Sequence, residues 1–229
     1  MKPCTSRMFA VVTTRNEHAS IYSLVNELRA SGYVSRVVVV DAASTDGTPD
    51  LAEKAGALVL REPRIPIAPA LMKGWCAALE AGALGIVQLD AGFSHSAWDV
   101  PRLVNGLRQA DFVVGSRFLP DSKYVGGRRV RSFFSRMAAL ACNATWGYHV
   151  VSDWTSGFRA MTAPVATMLL SHSYQAKMHG WQIEVLINVL RNSHKVTEVP
   201  ITYQAGRSSM NSRIALEAVR AWSDMLVKP

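Results

Sequence analysis

Short apolar runs recur along the first half of this chain, and between them the apolar residues fall at helical spacing. Met8 to Thr13 is the first run, and Ser20 to Ala30 then sets Ile21, Leu24, Val25 and Leu28 on one helical face. Arg36 leads into the unbroken β-branched stretch Val37 to Val40. The alternation continues with a helix from about Pro49, a strand at Leu58 to Leu60, a helix from about Ala68, and strands at Gly85 to Leu89 and Phe112 to Val114. Largely apolar strands, separated by helices, predict an α/β fold with a mostly parallel sheet covered on both faces. Ligands in such sheets bind beyond the carboxyl ends of the strands, so the residues that follow each strand are the first place to look for chemistry.

Composition narrows the class further. The chain has 229 residues, 49% of them hydrophobic, and 25 Lys and Arg against 17 Asp and Glu leave a net charge of +8. That is a single compact basic domain, too apolar for disorder. No uncharged apolar run reaches the roughly 18 residues a membrane-spanning helix needs. Cys4, Cys76 and Cys142 are odd in number and unrelated in spacing, which argues against a disulfide framework or a structural zinc site. Met1 to Arg7 lacks the apolar stretch of a signal peptide. The expectation is a cytoplasmic protein.

Four strand ends carry polar motifs: Thr13-Thr14-Arg15-Asn16-Glu17, Asp41-Ala42-Ala43-Ser44-Thr45-Asp46-Gly47-Thr48, Asp90-Ala91-Gly92, and Gly115-Ser116-Arg117. Asp46-Gly47-Thr48-Pro49 reads equally as a turn and helix start, with Thr48 as cap and Pro49 in the first helical position. Asp41 and Asp90 each end an apolar strand directly, where a carboxylate needs a partner such as a ribose hydroxyl or a metal ion. Neither GxxxxGK[ST] nor GxGxxG follows the first strand, so a P-loop and a dinucleotide fingerprint are both unsupported.

Taken in order, these motifs resemble family 2 glycosyltransferases of the GT-A fold, nearest to dolichyl-phosphate mannose synthases and their polyprenyl-phosphate relatives. The remaining pieces are Ser94-His95, Asp153-x-Thr155-Ser156-Gly157-Phe158-Arg159, Gln182-Ile183-Glu184 and Glu198-Val199-Pro200-Ile201. The resemblance runs from about Phe9 to Met210. It implies one GT-A domain over 1–229, with a nucleotide-sugar half at 1–117 and an acceptor half at 118–229. It further implies a nucleotide sugar across the strand ends, the base near Thr13, Arg15, Glu17, Val40, Asp41, Ala42 and Asp46, and the diphosphate near Asp90 and Ala91. Arg117 would stabilise the leaving diphosphate, and Mg²⁺ or Mn²⁺ would sit on Asp90 with Ser94 as a further oxygen ligand.

Departures from the family lie on the donor side. Thr13 and Arg15 stand where the family has proline and tyrosine, and Ala42 stands for a second aspartate. Gly92 replaces the last carboxylate of an Asp-x-Asp, which predicts weaker metal binding. If the backbone at 92 is ordinary, Gly92→Asp is expected to restore metal affinity.

On the acceptor side, Lys123 to Trp146 begins with Arg128, Arg129, Arg131 and Arg136. It carries Val130, Phe133, Phe134, Met137, Leu140 and Ala144 at helical spacing. Such a helix either packs into the core with a solvated end or lies on a membrane surface. The resemblance implies that Arg131, Ser135, Arg136, Thr155, Ser156, Arg159, Arg207 and Ser208 meet a polyprenyl phosphate there. Ser212 to Val227 has a second apolar face. The enzyme would be peripheral to the membrane, alone or with a membrane-anchored partner or a second copy of itself.

A phosphate acceptor needs no general base, whereas a hydroxyl acceptor needs one, and Asp153 or Glu184 would then have to serve. Two alternatives stay open: a hydroxylated base in DNA as acceptor, consistent with the basic charge, and a non-catalytic nucleotide-sugar-binding subunit.

Overall fold

The computed structural model describes residues 7–92, 94–126, 129–146, 151–178 and 180–204. The predicted βα alternation is present with slightly longer elements: β1 Met8–Thr14, α1 His18–Ala30, β2 Arg36–Ala42, α2 Thr48–Lys54, β3 Leu58–Glu62, α3 Ile67–Glu80, β4 Gly85–Asp90, α4 Val100–Gly106 and β5 Phe112–Ser116. The second half adds β6 Lys123–Val125, α5 Arg129–Trp146, β7 Arg159–Thr162, α6 Ala163–Leu170, α7 Trp181–Arg191, β8 Val196–Pro200 and β9 Thr202–Gln204. The main sheet runs β3-β2-β1-β4-β7-β5-β8, and a parallel ribbon pairs β6 with β9.

The valine-rich strands are buried on both faces, which is why they read as continuous apolar runs. One face of the sheet, through Val11, Val38, Ile86 and Phe112, packs on Trp75 of α3, Val165 of α6 and Trp181 of α7. The other, through Val12, Val39, Val87 and Val113, packs on Ile21 and Val25 of α1, Ala52 of α2 and Leu103 of α4. From β1 the chain winds outward to β2 and β3, then returns to lay β4 on the opposite side of β1. The crossovers therefore diverge between β1 and β4, and a crevice opens beyond their ends, where Thr13 is paired with Asp90.

Three features depart from the sequence reading. First, β7 enters antiparallel between β4 and β5, pairing Gln88 with Arg159 and Val113 with Ala160. The boundary at residue 117 thus divides the sequence but not the sheet. Second, α2 is capped at Gly47, whose φ is +81°, with Thr48 already helical; Asp46 accepts the Thr48 amide at 3.1 Å. Third, α5 departs from the core-packing alternative at Met137 and Leu140. Ser135, Ala139 and Cys142 turn inward, while Met137 and Leu140 are exposed. Among the described residues no helix is long and apolar enough to cross a membrane.

Candidate active site

The donor end of the crevice is built by two loops fastened together. Between β1 and α1, the Asn16 amide donates to Ser44 Oγ at 2.8 Å, and Asn16 Oδ1 accepts the Thr45 amide at 2.9 Å. The Glu17 amide donates to Thr48 Oγ1 at 2.9 Å and the His18 amide to Asp46 Oδ2 at 3.1 Å. Asn16 and Ala43 are held at φ +55° and +57° without being glycine, a strain that only such cross-bracing sustains. Asp46 is exposed; any desolvation would raise its carboxyl, but the bonds from Thr48 and His18 hold it low. Asp41 is buried and accepts both the amide and the hydroxyl of Ser44. These two aspartates therefore shape the loop. Val40 and Ala42 are buried as well, whereas Thr13 is half-buried and Arg15 exposed.

Asp90 closes β4 as its one partly exposed residue. Its amide faces Nδ1 of His95 at 3.5 Å, and the buried His95 ring packs between Phe158 and Tyr203 at centroid distances of 4.9 and 5.6 Å. The Ala91 amide donates to the Thr13 carbonyl at 3.3 Å, locking the end of β4 to β1. Gly92 has φ +92°, and a Cβ placed there would lie 2.9 Å from both carboxylate oxygens of Glu17. The condition set for aspartate at 92 is therefore not met: the backbone is left-handed, and the Glu17 carboxylate already occupies the space. Burial raises the Glu17 carboxyl, the Ser20 hydroxyl partly offsets that, and Asp46 adds to the rise. Ser94 is half-buried, and its carbonyl accepts the Gln204 amide at 3.1 Å.

The acceptor end is organised around a buried ion pair. Arg117 meets Asp153 through Nε at 2.7 Å, Nη2 at 2.6 Å and its own amide at 3.0 Å, and Nη2 also donates to Thr155 Oγ1 at 2.6 Å. Burial works against both charges, but each raises the other's preference for the ionised form: Asp153 is held below the usual carboxylate range and Arg117 above the usual guanidinium one. Arg117 also lies over the rings of Phe118 and Tyr203, 5.4 Å from each centroid. It is thus a neutralised, anchored group rather than an open cation. Glu198 fixes the same loop by accepting the amides of Ser152 and Asp153 at 2.8 and 2.9 Å.

Ser156 and Arg159, expected as acceptor contacts, are both buried and bonded to the backbone. Ser156 donates to the Gly115 carbonyl at 2.6 Å; Arg159, fully buried, donates to the carbonyls of Ser156 and Trp154 at 2.8 and 3.0 Å. Glu184 is likewise buried and accepts the amides of Gln175 and Ala176 at 2.9 and 2.8 Å. On α5, Ser135 is buried, while Arg136 is exposed and lies 4.7 Å over Phe118. Arg131 lies on the same helix. Arg207, Ser208 and the apolar face from Ser212 to Val227 lie outside the described residues. Sequence reasoning gave Glu198, Phe118 and Tyr203 no role: Glu198 and Tyr203 act through neighbours distant in sequence, and Phe118 through Arg117 beside it and Arg136 on α5.

Comparison with known proteins gives the family and the fold. The model of glycosyl transferase family 2 matches residues 9–163. Undecaprenyl-phosphate mannosyltransferase of Micrococcus luteus is 32% identical over 222 residues, covering 93% of this chain and 91% of that protein. Polyprenol monophosphomannose synthase of Mycolicibacterium smegmatis is 28% identical, covering 95% and 87%. Among solved structures, glucosyl-3-phosphoglycerate synthase from Mycobacterium tuberculosis with Mn²⁺, UDP and phosphoglyceric acid superposes with a TM-score of 0.76 at 22% identity, over 97% of this chain and 79% of that one.

Proposed function

Because the chain belongs to glycosyl transferase family 2, we propose that it transfers a hexose from a nucleotide sugar to the phosphate of a polyprenol, with inversion at the anomeric carbon. The observation that carries this reading is that both candidate bases are already engaged. Asp153 is closed into its pair with Arg117, and Glu184 holds the backbone of 175–176. A hydroxyl acceptor would need one of them to remove its proton. A phosphate monoester arrives as an anion at neutral pH, so in-line attack requires positioning and charge neutralisation alone. The substrates named for the two bacterial relatives have this chemistry.

The donor is read as lying across the β1/β4 crevice. Its base would rest near Thr13, Arg15 and the end of β2, and its diphosphate over Asp90 and Ala91. The residues present fit a divalent cation of the Mg²⁺ or Mn²⁺ type, since Asp90, the Glu17 carboxylate laid against bare Gly92, and Ser94 are all hard oxygen donors. When bound, such an ion neutralises charge on the leaving diphosphate. The chain's own part is to hold those oxygens still through the fastened loops. On the acceptor side, exposed Met137 and Leu140 beside Arg136 suit the headgroup boundary of an anionic membrane at its cytoplasmic face. With Arg131 and Arg136, that surface would receive the lipid phosphate.

Labelled UDP-glucose and GDP-mannose, each offered with short-chain polyprenyl phosphate and with hydroxymethylated DNA in Mn²⁺, test the reading. Label is expected in the lipid. Label in DNA alone would overturn it.

A further inference from the structure

Five buried polar side-chain atoms on the α3 and α7 side of the sheet have no hydrogen-bond partner among the described residues: Trp75 Nε1, Trp181 Nε1, Gln88 Oε1, Arg159 Nη1 and Gln182 Oε1. Buried polar atoms in native proteins are paired, so each orphan asks for a water or a ligand. Four of them sit in side chains committed elsewhere. Trp75 and Trp181 stack on each other at 5.2 Å in the core. Gln88 donates from Nε2 to the Gly157 carbonyl at 3.1 Å, and Arg159 holds two carbonyls.

Gln182 is different. It lies on the first turn of α7 and is 5% exposed, and neither end of its amide has a bond among the described residues. Its Nε2 converges with the Asp90 carboxylate on Gly157: a Cβ built on Gly157 would lie 3.6 Å from Asp90 Oδ2 and 3.6 Å from Gln182 Nε2. A bare α-carbon thus forms the wall between the strand-end carboxylate and an uncommitted amide. Terminal amide torsions are broad and two-fold, so a half-turn of χ3 presents the orphan acceptor where the donor end now faces. A group with both a donor and an acceptor, such as a sugar hydroxyl, can use either end.

We infer that Gln182 is a specificity-determining residue that reads a hydroxyl of the transferred hexose, across the bare wall of Gly157. This rests on the transferase reading above and names the contact by which the enzyme tells sugars apart. A site built to hydrogen-bond a hydroxyl discriminates strongly against ligands that lack or misplace it, because the buried amide is then left unpaired.

The test compares binding of UDP with UDP-glucose and of GDP with GDP-mannose by calorimetry, using the full chain in Mn²⁺. For the pair the wild type binds, Gln182→Leu is expected to lower the ratio of nucleotide-sugar to nucleoside-diphosphate affinity by about tenfold or more. Affinity for the nucleoside diphosphate should stay within about twofold, as the base and phosphates are held elsewhere. The melting temperature should be unchanged or raised, since an apolar side chain of similar volume removes an unpaired buried acceptor. A purely structural glutamine would instead melt lower on substitution.

Gly157→Ala supplies an independent arm. Its Cβ meets only ordinary van der Waals distances, so the fold accepts it, yet it fills the space between Asp90 and Gln182 and should lower the same ratio. An unchanged ratio in both variants, or equal weakening of diphosphate and nucleotide sugar, overturns the assignment of Gln182. A wild type that binds none of the four ligands overturns the transferase reading itself, and the inference with it.

Discussion

Asp90 closes β4 and Asp153 pairs with the residue that follows β5, and the two belong to different kinds of structure. Asp153 is completely buried, and its oxygens receive Nε, Nη2 and the amide of Arg117 while Glu198 clamps the backbone beneath it. Asp90 ends a buried strand half in the open, two residues before a left-handed glycine that faces Glu17, and shares the space over Gly157 with the Gln182 amide. A buried amide oxygen without a bond, as at Gln182 Oε1, is unfavourable, and a hydroxyl donor would relieve it. The Asp153 side is thus closed by its own residues, whereas the Asp90 side borders Gly92 and Gly157, which carry no side chain.

Perturbing each end should separate these roles. Asp153→Asn leaves Arg117 buried without its counter-charge, so a loss of about 3–5 kcal/mol in unfolding free energy is expected in a denaturant titration. Turnover per folded molecule that vanished while stability held would instead make Asp153 a base and end the contrast. The same pair predicts a pH limb. Because the folded Asp153 carboxyl is depressed, its stabilisation is complete above the unfolded value near 3.8 and is lost as pH falls from there through the folded value. In acid unfolding, Asp153→Asn should lack that limb.

Asp90→Asn reverses the pattern. It should reduce kcat about 100- to 1000-fold, equivalent to about 2.7–4 kcal/mol, with the unfolding midpoint near that of the wild type. Full activity in Mn²⁺ and after chelation alike would remove Asp90 from the chemistry. Gly92→Asp should destabilise by about 1–3 kcal/mol through the left-handed backbone and the approach to Glu17. A manganese titration should show no gain in affinity; a tighter complex would mean that the loop rearranges to admit the new carboxylate. The smallest effect belongs to Arg136→Ala, about 0.5–1 kcal/mol for an exposed guanidinium over Phe118. Its transfer to polyprenyl phosphate should fall more than its donor hydrolysis, measured side by side.

Most of the donor half was legible because its information is local. An unbroken valine run, a helical period and a polar strand end each lie within a dozen residues, and the crevice between β1 and β4 follows from them. The acceptor half encodes its structure over long separations. Arg159-Ala160-Met161-Thr162 is too short for any periodicity to mark it as a strand, and only β4 and β5 on either side make it one. Arg117 and Asp153 were each legible as functional types, but no local signal shows that they pair across 36 residues. The same blindness hid Glu17 beside Gly92: the motif shows a carboxylate missing at 92 and cannot show another supplied from the β1 end. On α5, the sequence left core packing and a surface position both open, and it takes the burial of Ser135, Ala139 and Cys142 beside exposed Met137 and Leu140 to tell them apart.

The antiparallel wedge of β7 also bears on how the chain is made. A nascent polypeptide that has emerged only as far as residue 117 carries β4 and β5 but not the strand that joins them. Each then presents an unpaired edge of a largely apolar strand, the kind of surface that recruits strands from other molecules. A shortened gene product ending there should accumulate as aggregate rather than as a freestanding nucleotide-binding module. Useful split or circularly permuted forms of this enzyme would have to keep residues 85–116 and 159–162 in one piece.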